Sequence, residues 1–112
     1  MDLISNHRHG INVITVNEAR IDASVAIKFK DTMRALTETG PAHVILDLSG
    51  VDFVDSSGLG AIVAAMKQLS RDKQMDLAGL TPNVDKVFRL TRMDSIFTIH
   101  ENAADPVIRA AG

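Results

Sequence analysis

The residues best suited to chemistry in this chain are Asp55-Ser56-Ser57-Gly58-Leu59-Gly60, where two adjacent hydroxyls follow a carboxylate and precede two glycines. Three uses of such hydroxyls can be weighed. A hydrolase nucleophile sits in Gly-x-Ser-x-Gly and needs a histidine and an acid as partners. The residue two before Ser56 is Val54 and the residue two before Ser57 is Asp55, so neither serine occupies that elbow. The histidines are His7, His9, His43 and His100, and none stands in a recognisable triad context. A phosphate-cradling loop needs Gly-Lys-Ser/Thr after a glycine-rich run, which is absent. The third use is as an address for a phosphate at a helix start, where free N–H groups and the helix dipole favour negative charge. The plainer alternative is capping, since Ser and Asp oxygens satisfy first-turn amides. Two serines behind an acid and before Gly-Leu-Gly exceed what a cap requires.

Other candidates carry less. His7 and His9, two apart, would share a strand face and could suit a metal, but no third ligand stands beside them, and a solvated edge strand is the better reading. Asp22 reads equally as a helix-start acid complementing the dipole or as a functional carboxylate. Arg89 and Arg92 read as a solvated face. The chain has no cysteine, hence no thiol nucleophile, thiolate metal site or disulfide. No metal or other cofactor is expected, and the chain does not read as an enzyme.

The elements that must position the serines follow from apolar spacing. Leu3 to Arg8 and Ile11 to Val16 read as strands around a turn near Gly10. A helix starts at Asp22 to Ser24, carries the stripe Val25, Phe29, Met33 and Leu36, and ends at Gly40-Pro41. Ile27 falls off that stripe. His43 to Leu48 is a strand without alternation, buried on both faces. The chain then reaches the Asp55 corner, where Gly58 and Gly60 remove side chains near a close approach. A helix leaves it from about Ser57 to Arg71, with Leu59, Ile62, Val63 and Met66 at helical spacing. Met75 to Leu80 is a strand, and Thr81-Pro82 opens a helix with a cap residue and proline at the first position. Ile96 to His100 is a last strand, and Ala103 to Ala110 reads as a short helix or a fraying end. Two strands followed by alternating helix and strand argue for an α/β fold with a mixed, mainly parallel sheet.

Composition agrees. A chain of 112 residues reads as a single domain, 1–112, able to bury its own core. Hydrophobic residues at 46% and charged residues at 23% are ordinary for a globular protein. A formal net charge of −2 gives no reason to expect nucleic acid. No apolar run approaches the roughly 20 residues that span a bilayer, so direct membrane insertion is not expected. The N-terminus lacks the basic start and long apolar region of a signal peptide, which makes a cytoplasmic location the expectation.

Val44 to Leu69, centred on Asp55-Ser56-Ser57-Gly58-Leu59-Gly60, resembles the signature of STAS domains, the sulfate transporter and anti-sigma-factor antagonist family. It is most similar to the free-standing anti-sigma-factor antagonists. Ile21-Asp22-Ala23 resembles the family's acidic turn before its first helix, and Val84 to Leu90 its third helix. The resemblance implies a central sheet of four or five strands with about four helices largely on one side. It implies that Ser56, directly after the acid, is the phosphoacceptor, with Ser57 the alternative. It implies that Asp22 lies near that serine and touches the partner, together with Asp55, Ser56, Ser57, Gly58, Leu59 and Gly60. The implied partners are a serine-kinase anti-sigma factor, which releases its sigma factor when the unphosphorylated chain binds, and a PP2C-type phosphatase. Ala19 stands where the family pattern has glycine, which bears on the local backbone. Competing readings are a STAS subunit of an ABC-type lipid transport complex and a nucleotide-binding module.

Overall fold

The expected hairpin forms at the N-terminus of the computed structural model, which describes residues 1–103. Leu3–Arg8 (β1) pairs antiparallel with Ile11–Val16 (β2), Arg8 facing Ile11. His9 and Gly10 have φ of 53° and 74°, the positive pair that a two-residue hairpin turn of matching twist requires. His9 therefore sits in the turn, and the strand face considered for His7 and His9 does not exist. No group of histidine and acid side chains among the described residues is arranged to hold a metal ion.

The remaining elements are Arg20–Ile21 (β3), Ala26–Thr37 (α1), His43–Asp47 (β4), Phe53–Val54 (β5), Ser56–Lys67 (α2), Gln74–Ala78 (β6), Pro82–Leu90 (α3) and Ile99–His100 (β7), with a 3-10 turn at Met93–Ser95. The main sheet has five strands in the order β1-β2-β4-β6-β7; only β1 runs antiparallel to its neighbour. β3 and β5 form a separate two-stranded parallel ribbon. The mixed sheet is as expected. The described residues hold three α-helices rather than about four, and the helix expected at 103–110 falls outside them apart from Ala103. The second helix ends at Lys67, not Arg71, with Gln68 as its C-cap, and Ser70 and Asp72 then close a turn with a side-chain hydrogen bond of 2.7 Å. The last strand keeps only two of the five residues expected; Ile96 lies 46% exposed in the preceding turn.

The central strands have two buried faces. Ile14, Val16, Val44, Leu46, Met75 and Leu77 point to the side covered by Phe29 and Met33 of α1, Ala61, Ile62 and Ala65 of α2, and Val84 and Phe88 of α3. All three helices thus lie on one side, as expected. Ile27 is exposed, off the apolar stripe. Buried Asn12 is satisfied on the helix side, accepting from the Ser5 hydroxyl and donating to the Leu36 carbonyl at 3.0 Å.

The other face carries a smaller cluster, Ile11, Val13, Ile45 and Ala78, with Ala103 against it. There Asp76 of β6 is buried and accepts from His43 Nε2 at 2.7 Å and His100 Nε2 at 2.9 Å on one oxygen, and from Gln74 at 2.8 Å on the other. Burial pushes the Asp76 carboxyl up, but hydrogen bonds from His100, Gln74 and His43 outweigh it and leave the group below the ordinary aspartate value. Nothing in the residue spacing anticipates this constellation.

Candidate functional site

The corner that carries the serines is built by the small ribbon. Arg20 pairs with Phe53 and Ile21 with Val54, so the chain entering α1 and the chain entering α2 run side by side. The Ala19 carbonyl accepts from the amides of Asp52 at 2.8 Å and Phe53 at 3.2 Å. Among the described non-glycine residues only His9 and Arg92 have positive φ, so alanine in place of glycine at position 19 imposes no strain. The strand that reaches the corner is the two-residue β5; β4 stops six residues earlier at Asp47.

Asp55 is the N-cap of α2. Its Oδ1 accepts the Gly58 amide at 2.8 Å, and its Oδ2 accepts the Ala23 amide at 3.3 Å. One carboxylate thus closes the first turn of α2 and ties down the loop before α1. Ser56 and Ser57 are the first two helical residues, and the capping alternative for them is not realised. Both are exposed, and no hydroxyl or amide of either meets a hydrogen-bond partner among the described residues. Two free N–H groups and two free hydroxyls therefore lie together at the positive end of α2, a place that favours an anion.

The glycines differ. Gly58 is buried, and a Cβ there would stand 1.9 Å from the Ile21 carbonyl oxygen. Gly60 is exposed, and a Cβ there would meet nothing within 4 Å. Leu59 is half-buried against the core.

Asp22 is not a first-turn acid: α1 starts at Ala26 and has no acid in its first turn. It organises the turn before the helix instead. Its Oδ1 accepts the Ser24 amide at 3.1 Å and the Ser24 hydroxyl at 2.5 Å. The Ser24 hydroxyl, helped by its amide and by Arg20, holds the Asp22 carboxyl below the usual aspartate value. Through the Ala23 amide this turn is bonded to Asp55, so Asp22 and the Asp55–Gly60 segment are brought to one corner across the sequence. The sequence reading passed over Arg20, whose Nε lies 3.5 Å from Asp22 Oδ2. In an extended segment residues 20 and 22 share a face, and that spacing was the signal available.

Comparison with known proteins follows the same lines. A family model for the STAS domain matches residues 3–105. The anti-sigma-B factor antagonist of Listeria monocytogenes is 32% identical over 80 residues, covering 70% of each chain. An anti-sigma-factor antagonist (STAS) domain protein from Planctomyces limnophilus superposes with a TM-score of 0.87 at 20% identity, covering 100% of both chains. The Bacillus cell fate determinant SpoIIAA in its phosphorylated form superposes with a TM-score of 0.69 at 16% identity over 96% of this chain and 98% of that one.

Proposed function

This chain belongs to the STAS family, among the anti-sigma-factor antagonists, and from that premise we propose that it is a partner-switching regulator controlled by phosphorylation of Ser56. The unphosphorylated chain binds a serine-kinase anti-sigma factor in the cytoplasm and thereby releases the sigma factor. The kinase transfers the γ-phosphoryl group of ATP to the Ser56 hydroxyl; the P–O bond to ADP breaks as the ester bond forms, and the hydroxyl proton leaves. A PP2C-type phosphatase hydrolyses the ester. The chain is substrate and ligand in this cycle, and the catalytic groups belong to its partners.

The observation that carries this reading is the free Ser56 hydroxyl. It stands exposed at the first position of α2 while Asp55 does the capping that a serine could otherwise have done. A relative of this fold exists in a phosphorylated form, which is consistent with it.

Physical chemistry gives the switch its sign. Phosphoserine adds about −1.5 to −2 charges at neutral pH. The helix dipole and the free amides of Ser56 and Ser57 accommodate that charge, so the fold survives. A partner surface packed on the corner meets a new dianion beside Asp55, and unpaired buried charge of this kind costs about 2–5 kcal/mol of binding. Docking is lost without a change of fold.

The test is incubation with the serine-kinase anti-sigma factors of the same genome and ATP, followed by mass spectrometry of the tryptic peptide that contains Ser56. A phosphate on Ser56 supports the reading. Phosphate elsewhere or none, from a kinase that is active on a control substrate, overturns it.

A further inference from the structure

Arg20 and Phe53 face one another across the register of β3 and β5. The guanidinium carbon of Arg20 lies 4.2 Å from the centre of the Phe53 ring, a cation–π contact. Its Nε leans on Asp22. The two terminal nitrogens meet no acceptor among the described residues, and 61% of the side chain is exposed. Phe53 is itself 40% exposed and takes no part in either core cluster, whereas its neighbour Val54 is buried in the main one. The ring therefore contributes little to the core. Its effect is to hold a long, flexible cation against a flat surface, with the two terminal nitrogens of its donor fork unpaired.

That is a receptor for a carboxylate. An arginine fork offers two parallel N–H groups at the spacing of carboxylate oxygens. Ordering the side chain beforehand lowers the entropy lost on docking. Arginine and aromatic residues are also the types that concentrate binding energy at interfaces. Of the nearby acids, Asp22 is engaged by Ser24 and by Arg20 Nε, Asp55 by the Gly58 and Ala23 amides, and Glu18 by the Asp2 amide at 3.1 Å, while the Asp52 side chain is exposed. A nucleic-acid strand, with a negative charge at every step, would run against Asp22, Asp52 and Asp55 in turn; a single carboxylate brings one charge, met by the two unpaired nitrogens of Arg20.

We propose that Arg20 and Phe53 are the specificity anchor of the docking surface, and that the anti-sigma-factor kinase places one Asp or Glu carboxylate on the Arg20 fork with apolar atoms against the Phe53 ring. This rests on the functional reading above and adds the chemistry of the partner's contact patch. It also separates two tasks within one corner: Ser56 decides when docking occurs, and Arg20 with Phe53 decides with whom.

The experiment measures the affinity of the unphosphorylated full chain for the serine-kinase anti-sigma factors of the same genome, by isothermal titration calorimetry. The variants are Arg20→Lys, Arg20→Gln, Arg20→Glu and Phe53→Ala, with Lys86→Gln on the exposed side of α3 as the control. Thermal melts establish that each variant folds. Arg20→Gln and Phe53→Ala are expected to weaken binding about tenfold and Arg20→Glu about a hundredfold or more. Arg20→Lys is expected to fall short of wild type because an ammonium has no fork, and Lys86→Gln to match it. Reversal of one acidic residue on the kinase to lysine restores binding to Arg20→Glu. Wild-type binding with an Arg20→Glu variant within twofold of it overturns the anchor and leaves the functional reading standing. Failure of every acidic reversal to restore binding overturns the carboxylate assignment. Failure of the wild-type chain to bind the kinase at all overturns the functional reading, and the anchor with it.

Discussion

Gly58 lies so close to Ile21 that a methyl group on it would stand 1.9 Å from the Ile21 carbonyl oxygen. The N-terminus of α2 is thus pressed against β3, and the obstructing atom is backbone, which cannot rotate away. Gly58→Ala is expected to cost about 1–3 kcal/mol, the usual range for overpacking. Gly60, two residues on, has open space around it. Gly60→Ala is expected to stabilise by about 0.5–1 kcal/mol, because glycine inside a helix carries an entropic cost. Urea unfolding of both variants checks the pair; equal effects would mean that the contact with Ile21 does not govern the corner.

The two serines should separate stability from regulation. Neither hydroxyl is hydrogen-bonded among the described residues, so Ser56→Ala and Ser57→Ala are each expected to change stability by no more than about 0.5 kcal/mol. Phosphate incorporation by the kinase should vanish in Ser56→Ala and persist in Ser57→Ala. Ser56→Asp should bind the kinase more weakly than wild type. An aspartate variant that binds as tightly as wild type would remove the electrostatic basis of the switch.

Much of the fold and the serine corner is legible in the sequence because the signals are local. The Gly10 hairpin, the apolar run Val44-Ile45-Leu46, the Pro82 helix start and the acid-serine corner each need only their own neighbours to be read. What stayed hidden depends on register. β3 and β5 have two residues each, too few to show a period, and they exist because the chain before α1 and the chain before α2 meet. Asp and Ser are equally good capping residues, so only the position of the first helical turn decides that Asp55 caps and the serines stay free. Thr81 is the N-cap residue of α3, as its place before Pro82 implies, but its hydroxyl donates to the Val51 carbonyl at 2.7 Å instead of capping the helix. His43, Asp76 and His100 lie on three strands, β4, β6 and β7, far apart in sequence, and only their alignment in the sheet brings them together.

Asp55 holds two amides with one carboxylate, and its variants should divide that role. Asp55→Asn keeps one capping oxygen for the Gly58 amide, but its other terminal atom is an amide nitrogen that cannot accept from the Ala23 amide, so the capping bond costs only a few tenths of a kcal/mol and the bond to Ala23 is lost. Asp55→Ala loses both bonds and is expected to cost about 1–2 kcal/mol. Amide exchange near Ala23 should quicken in both variants, whereas exchange at Gly58 should quicken in Asp55→Ala more than in Asp55→Asn. Unchanged exchange at Ala23 in the alanine variant would show that the loop before α1 is held without Asp55.

The Asp76 cluster makes the fold respond to acid. The carboxyl has a lowered pKa in the folded chain, so its contribution to stability is present in full above the unfolded value, about 3.9. That contribution is lost as pH falls through the folded pKa, where a proton on Asp76 ends its role as acceptor for two imidazoles. The second histidine anchors β7, which is only two residues long and lies at the edge of the sheet. Asp76→Asn is expected to cost about 1–3 kcal/mol at pH 7, since it removes a charged acceptor from a buried site. The gap between wild type and Asp76→Asn should narrow below about pH 4, as the wild-type carboxyl is protonated. Urea midpoints at pH 7, 5, 4 and 3 measure it. A gap that stays constant across that range would show that Asp76 titrates alike in the folded and unfolded chains, and that the two histidines do not hold it ionised.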